Sequence, residues 1–169
     1  NGHLVLVAAV FSAAVIGFLL FNLRTPLRPR ATVFLGDCGS LSLGLLVAWL
    51  AIEVAQSPTR AGSALGIAWV VVLPVLDTLS LIIRRLLKGQ NPLRADRNHL
   101  HHLLERAGFS AGQSTLILVG LSLGFGAVGV LGSASGVPDI VLGSGLIIIL
   151  AAHYLFVRYA WRSTRALKR

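Results

Sequence analysis

Two stretches of this sequence carry residue types suited to phosphate chemistry. The first runs Val33-Phe-Leu-Gly-Asp-Cys-Gly-Ser-Leu-Ser-Leu-Gly44 and sets Asp37 between Gly36 and Gly39 at the mouth of an apolar run. Glycines there allow a tight turn and close approach of backbone to a ligand. A carboxylate in that place suits Mg2+, which binds through one or two carboxylates together with substrate phosphate oxygens. The same aspartate also suits a plain helix start, where it would only complement the N-terminus. The second stretch, Arg84 to Gln113, packs six basic residues and three of the five histidines into thirty positions. His99, His101 and His102 are able to coordinate a metal, take a proton or hydrogen-bond a phosphate. On a regular helix His99 and His102 share a face while His101 points away, so the three meet only if the chain bends near Leu100. No cysteine or further ligand stands at zinc spacing. Histidines and arginines together read better as an anion pocket. The alternative is an interfacial amphipathic helix whose polar face holds histidines.

Other polar residues are weaker candidates. Asp77 lies inside an apolar run seven residues before Arg84, about 10 Å along a helix. A carboxylate in a membrane is costly unless paired or hydrated, and marks function by default. Pro74, three residues earlier, would open the helix locally; pairing of Asp77 with an arginine across the bundle is the structural alternative. Glu53 lies near the end of its run and can snorkel. His3 and His153 stand alone near run ends. Cys38, the single cysteine, has no adjacent histidine to activate it, so nucleophilic thiol chemistry is disfavoured.

The elements that must position these residues follow from composition. Of 169 residues 55% are hydrophobic and 12% charged, with mean hydropathy +0.80 and formal net charge +9. Soluble domains carry about twice that charged fraction, which excludes a water-soluble monomer, and the apolar content excludes disorder. A bilayer core takes about 20 apolar residues per helix. Residues 4–23, 41–56, 64–83, 114–134 and 140–157 supply five such spans, the third interrupted by Pro74 and Asp77. The predicted fold is an all-α polytopic membrane bundle, one membrane domain over 1–169 with the histidines in a loop at 84–113. Fourteen of the fifteen basic residues fall in 24–40, 84–113 and the tail from 158, leaving Arg60 opposite. The positive-inside rule then predicts the N-terminus outside and the C-terminus in the cytoplasm. This distribution also accounts for the net charge without nucleic acid. Gly120-x-x-x-Gly124 is expected to let two helices approach closely. The first apolar run lacks a basic flank and a cleavage site, so it does not read as a signal peptide. With Asn1 at the start and no Met, the sequence is expected to be a piece of a longer chain.

Four blocks occur in order: Phe34-Leu-Gly-Asp37-Cys-Gly-Ser40, Leu73-Pro-Val-Leu-Asp77-Thr, Arg84-Arg85, and Asp96-Arg-Asn-His99-Leu-His101-His102-Leu-Leu-Glu-Arg-Ala-Gly108-Phe109. Together they resemble the polyprenyl-phosphate N-acetylhexosamine-1-phosphate transferases over nearly the entire chain. Within that family the pattern is most similar to the branch that uses UDP-GlcNAc and undecaprenyl phosphate. The branch loading phospho-MurNAc-pentapeptide is less similar, with consecutive histidines where this chain has His-Leu-His-His after Asp-Arg-Asn. The resemblance implies attack of a polyprenyl phosphate oxygen on the sugar-proximal phosphorus of a UDP-N-acetylhexosamine, giving a lipid-linked pyrophosphate sugar and UMP. It implies Mg2+, with Mn2+ as a substitute, at Asp37, and His99, His101 and His102 at the sugar-diphosphate end. Asn22 and Phe34 match positions that contact the uracil nucleotide, and Arg94, Asp96 and Arg97 are implied substrate-binding residues. It further implies a multi-pass protein of the bacterial plasma membrane, active on the cytoplasmic face, opening a cell-envelope polysaccharide pathway and leaving room for a homodimer.

The family's Asp-Asp motif and its Asn-x-x-Asp-Gly-x-Asp-Gly motif lie upstream of the matched region and do not occur in these residues. The resemblance is therefore to a C-terminal half, which is expected to be inactive alone. Two other readings stand beside it: a metal-ion or anion transport module using Asp77 and the histidines, and a non-catalytic membrane interaction fragment. Transport wants polar residues along several spans, and these runs offer little beyond Asp77, Glu53 and hydroxyls.

Overall fold

The computed structural model describes residues 2–24, 30–56, 62–92 and 99–166, the last with side chains through residue 159. These residues form helices and no strand. In chain order they are α1 (Gly2–Asn22), α2 (Gly36–Ala55), α3 (Ala64–Val70), α4 (Val72–Leu86), α5 (Leu100–Arg106), α6 (Ala111–Ala134) and α7 (Asp139–Ala166). The chain divides into two compact units, 1–60 and 61–169.

The first unit holds α1 and α2, of 21 and 20 residues, neither with a buried residue. Helices apolar on every side and without a buried residue are matched to a lipid solvent. At 1.5 Å per residue each reaches about 30 Å, the thickness of a bilayer core. α2 starts five residues ahead of the run predicted at 41, because Gly36 takes the left-handed conformation (φ +68°) that turns the chain into the helix. Asp37 thus lies within the first turn of α2 rather than in the loop before it.

The second unit is built around α4. Its buried residues Val72, Leu73, Leu76, Ser80, Leu81 and Arg85 recur at helical spacing and form one stripe. Trp69, Val72 and Leu76 pack with Phe125, Leu146, Ile149 and Leu150, and Leu73 packs with Leu100, Leu103, Leu118 and Phe125. α4 is therefore covered by α5, α6 and α7. α6 opens on a capping box, the Ser110 hydroxyl accepting from the Gln113 amide and the Gln113 side chain accepting from the Ser110 amide.

The run predicted as one span at 64–83 is two helices, α3 and α4, bent by 80° at Val71. Pro74 explains the position. It has no N–H to offer the Val70 carbonyl, and its ring excludes that carbonyl from helical geometry. The ladder stops, Val71 leaves the helix (φ −104°, ψ 9°), and Pro74 falls in the first turn of α4, where a missing N–H is tolerated. With 7 and 15 residues, neither piece alone reaches across a bilayer core. α1, α2, α6 and Asp139–Tyr159 of α7 each meet the length and apolarity of a span, giving four among the described residues, or five if the bent pair crosses as one.

α3 is held by backbone-close packing on α6. A Cβ on Gly129 would run into the Gly66 carbonyl and the Trp69 side chain, and one on Gly66 into Ser133 Oγ and the Gly129 carbonyl. The Ser63 hydroxyl caps α3 by accepting from Gly66 N (3.0 Å), and Ser63 N donates to Ser133 Oγ (3.2 Å). Trp69 Nε1 donates to the Leu142 carbonyl of α7 (3.1 Å). Gly120 and Gly124 have no atom within 4 Å of a Cβ position among the described residues. α3 is only seven residues long and meets the C-terminal half of α6, so the close contact falls at Gly129 instead.

Candidate active site

In the first unit, Asn22 ends α1 and organises the chain that returns to α2. Its Nδ2 donates to the Phe18 carbonyl (3.3 Å) and its Oδ1 accepts from Val33 N (3.1 Å). Thr32 adds a hydroxyl bond to the Phe21 carbonyl (2.9 Å). The segment before α2 is thereby tied back to the end of α1. Beside that tie, Phe34 projects with 91% of its surface exposed, leaving both ring faces open to a planar ligand. Asp37, exposed on the first turn of α2, has no side-chain hydrogen bond among the described residues. The resemblance gave Asn22 and Phe34 a common task; the structure assigns them different contacts, Asn22 to backbone and Phe34 to solvent.

In the second unit the histidine motif is gathered by the bend that the spacing required. His99 is extended (φ −74°, ψ 159°) and immediately precedes α5, so its ring leaves the helical register. The His99 and His101 rings lie nearly parallel with centroids 5.9 Å apart, and His101 and His102 are at 4.0 Å. Leu100 and Leu103 are buried beneath them and anchor α5 to the core, so this is a docked helix rather than one lying loose on a surface. His102 Nδ1 is 3.5 Å from Glu105 Oε2, one turn on. Partial burial, then the neighbouring His102 and His99, push the His101 pKa below the usual histidine value, with Glu105 and Asp77 opposing. The lowered pKa favours the neutral imidazole of His101 near pH 7, a form able to donate one hydrogen bond and accept another.

Asp77 meets this cluster rather than a bundle arginine. Its Oδ2 is 3.0 Å from His99 Nδ1 and its Oδ1 accepts from Leu100 N at 3.0 Å. Local sequence marked Asp77 as a candidate but carried no sign of this partner, twenty-two residues away. Buried Arg85 donates to the carbonyls of Asn91 (3.1 Å) and Pro92 (3.4 Å), shaping the exit from α4. Arg94, Asp96 and Arg97 lie outside the described residues.

A cavity of about 350 Å³ opens among α4, α5, α6 and α7, lined by Leu73, Leu76, Leu100, Leu104, Phe125 and Phe156 among others. His153 is its one ionisable lining residue, with Nδ1 2.7 Å from Ser80 Oγ. No group of three His, Cys, Asp or Glu side chains converges as a metal cage among the described residues. A lone exposed carboxylate such as Asp37 fits Mg2+, an ion that draws its remaining oxygens from water and substrate phosphate.

Comparison with known proteins bears on both units. Residues 1–55 match glycosyl transferase family 4. The chain is 34% identical over 161 residues to an undecaprenyl-phosphate α-N-acetylglucosaminyl 1-phosphate transferase of Escherichia coli K12, covering 93% of this chain and 43% of that protein. The similarly named protein of Haemophilus influenzae is 31% identical over 156 residues, 92% of this chain and 44% of the relative. That of Salmonella typhi is 35% identical over 161 residues, with 93% and 43% covered. The chain therefore spans less than half the length of the curated relatives it matches. No solved structure matches significantly. The first 55 residues are thus similar to glycosyl transferase family 4, and nearly the whole chain is similar to part of proteins with this sugar-1-phosphate transferase name.

Proposed function

We propose that this protein transfers N-acetylhexosamine 1-phosphate, with GlcNAc as the sugar, from a UDP-sugar to undecaprenyl phosphate. The observation that carries the reading is the histidine motif, gathered at His99, His101 and His102 in a chain similar along 92–93% of its length to enzymes of that name. In the reaction a phosphate oxygen of the lipid forms a bond to the sugar-proximal phosphorus. The bond from that phosphorus to the bridging oxygen breaks, and the electron pair leaves with UMP. Such transfer needs little covalent chemistry from the protein; it needs positioning and charge stabilisation.

The residues divide that work. The exposed Phe34 ring stacks on the uracil, held in place by the Asn22 tie to Val33. Asp37 supplies the carboxylate for Mg2+, with Mn2+ as a substitute. When bound, the ion neutralises charge on the diphosphate. The neutral His101 ring donates to a diphosphate oxygen, and Arg94 and Arg97 add positive charge beside the motif. The apolar cavity next to α5 offers room to the first part of a hydrocarbon chain. The skew of the basic residues toward alternate connections supports a cytoplasmic, plasma-membrane setting for this chemistry.

The test is transfer from UDP-GlcNAc by the full-length protein in membranes with undecaprenyl phosphate. Wild type is expected to form lipid-linked product, and Asp37→Asn and His101→Ala to form almost none. His3→Ala, near the far end of α1, is expected to match wild type. Equal rates in all four proteins would refute the site.

A further inference from the structure

The resemblance assigns no role to Asp77, yet both of its carboxylate oxygens are bonded to the histidine motif. We propose that Asp77 is a positioning residue: it fixes the tautomer of His99 and, through the Leu100 amide, the point at which α5 begins. The proposal rests on reading the motif as part of the transferase site and adds one residue to it.

The chemistry follows from the two contacts. An ionised carboxylate accepts hydrogen bonds and donates none. With Asp77 Oδ2 3.0 Å from His99 Nδ1, the proton of the neutral ring is drawn to Nδ1. Nε2 is left with its lone pair, as the atom offered to a ligand. A carboxylate behind a working imidazole commonly sets tautomer and ring plane in this way. The second oxygen takes the Leu100 N–H at 3.0 Å, one of the first-turn amides that a helix cannot satisfy itself. The residue ahead of α5, His99, gives no side-chain cap. A carboxylate from another helix supplies it instead.

Asp77 is well placed to act as a fixed point. It stands on α4 one turn after Pro74, between the buried residues Leu76 and Ser80–Leu81 of the packed stripe. The His99 ring in turn lies parallel to His101, which contacts His102. A misplaced His99 therefore displaces the other two rings.

Two substitutions separate the contacts. Asp77→Asn keeps one acceptor oxygen for Leu100 N–H but turns an NH2 group toward His99 Nδ1. The neutral ring must then move its proton to Nε2. Asp77→Ala removes both contacts. The full-length protein is studied in lipid nanodiscs by three readouts: ring 15N shifts of labelled histidine, assigned with His99→Gln; hydrogen exchange across 99–106; and steady-state transfer from UDP-GlcNAc.

Wild type is expected to show His99 protonated on Nδ1. Asp77→Asn is expected to keep slow exchange at Leu100 to Leu103, to show the reversed tautomer, and to lose roughly 10- to 100-fold in kcat, the usual cost of removing the group that orients a functional histidine. Asp77→Ala is expected to lose the exchange protection as well. A wild-type spectrum with the proton on Nε2 would overturn the proposal without any variant. So would an Asp77→Asn protein with reversed tautomer and unchanged kcat. Lack of transfer by wild type would sink the proposed reaction alone, because the spectroscopic and exchange readouts judge Asp77 separately.

Discussion

At the scale of single residues, the described candidates divide between solvent and a docked helix. Asp37 and Phe34 face solvent, and the histidines sit on a short docked helix with their rings in contact. Asp37→Asn should lower kcat roughly 10²- to 10³-fold, the range for losing one group that stabilises charge in a transition state. The check is initial rate at saturating UDP-GlcNAc across a Mg2+ titration; the loss should persist at every Mg2+ concentration. His101 carries a pH signature of known sign. Its folded pKa lies below the usual value of 6.5 because of partial burial and two neighbouring histidines. The unfolded chain therefore binds more protons as pH falls through that value, and the stability linked to neutral His101 is complete above it and lost below. Melting curves between about pH 5 and pH 7.5 should show wild type losing stability toward acid relative to His101→Gln. A larger acid loss in the variant would reverse the sign.

At the scale of elements, the break between α3 and α4 and the crossing of α3 on α6 set the frame for the histidine helix. Gly129→Ala places a methyl against the Gly66 carbonyl and the Trp69 side chain, and overpacking of that kind costs about 1–3 kcal/mol. Gly120→Ala adds a methyl in open space and gains at most about 1 kcal/mol of helix propensity. Thermal unfolding followed by tryptophan fluorescence should separate the two, with a lowered midpoint for Gly129→Ala only. The long helices were legible in the sequence because a bilayer demands about 20 apolar residues in a row. The gathering of the histidines was legible as a condition, a bend near Leu100, which the extended His99 meets. The 80° turn at Val71 was not, because a proline permits anything from a mild kink to a full break and packing on α6 decides. Nor was the Asp77 to His99 bond, since a contact across twenty-two residues leaves no mark in local periodicity. The same holds for the choice of Gly129 over Gly120, which depends on where a seven-residue helix ends.

At the scale of the molecule, sidedness depends on whether the bent pair counts as a crossing. If α3 and α4 cross as one span, Cys38 and the turn at Gly89–Gln90 face the same side, and fourteen of fifteen basic residues lie there together. A re-entrant pair would put them on opposite sides. Cys38 is the only cysteine of these 169 residues; with any cysteine elsewhere in the full-length protein replaced by serine, an impermeant maleimide applied to oriented vesicles reads its side directly. Gln90→Cys in a Cys38→Ser background reads the other. Both should label from the cytoplasmic face alone; labelling from opposite faces would break the topology. The proposed reaction is defined by the bond that is made and broken, and the fate of one phosphorus atom reports it. UDP-GlcNAc carrying 32P in the sugar-proximal phosphate is given to the full-length protein with undecaprenyl phosphate, and the lipid and aqueous phases are counted. Transfer of sugar 1-phosphate puts the label in the lipid and releases unlabelled UMP. Label retained in water as UDP, or left in the donor, would rule out sugar 1-phosphate transfer.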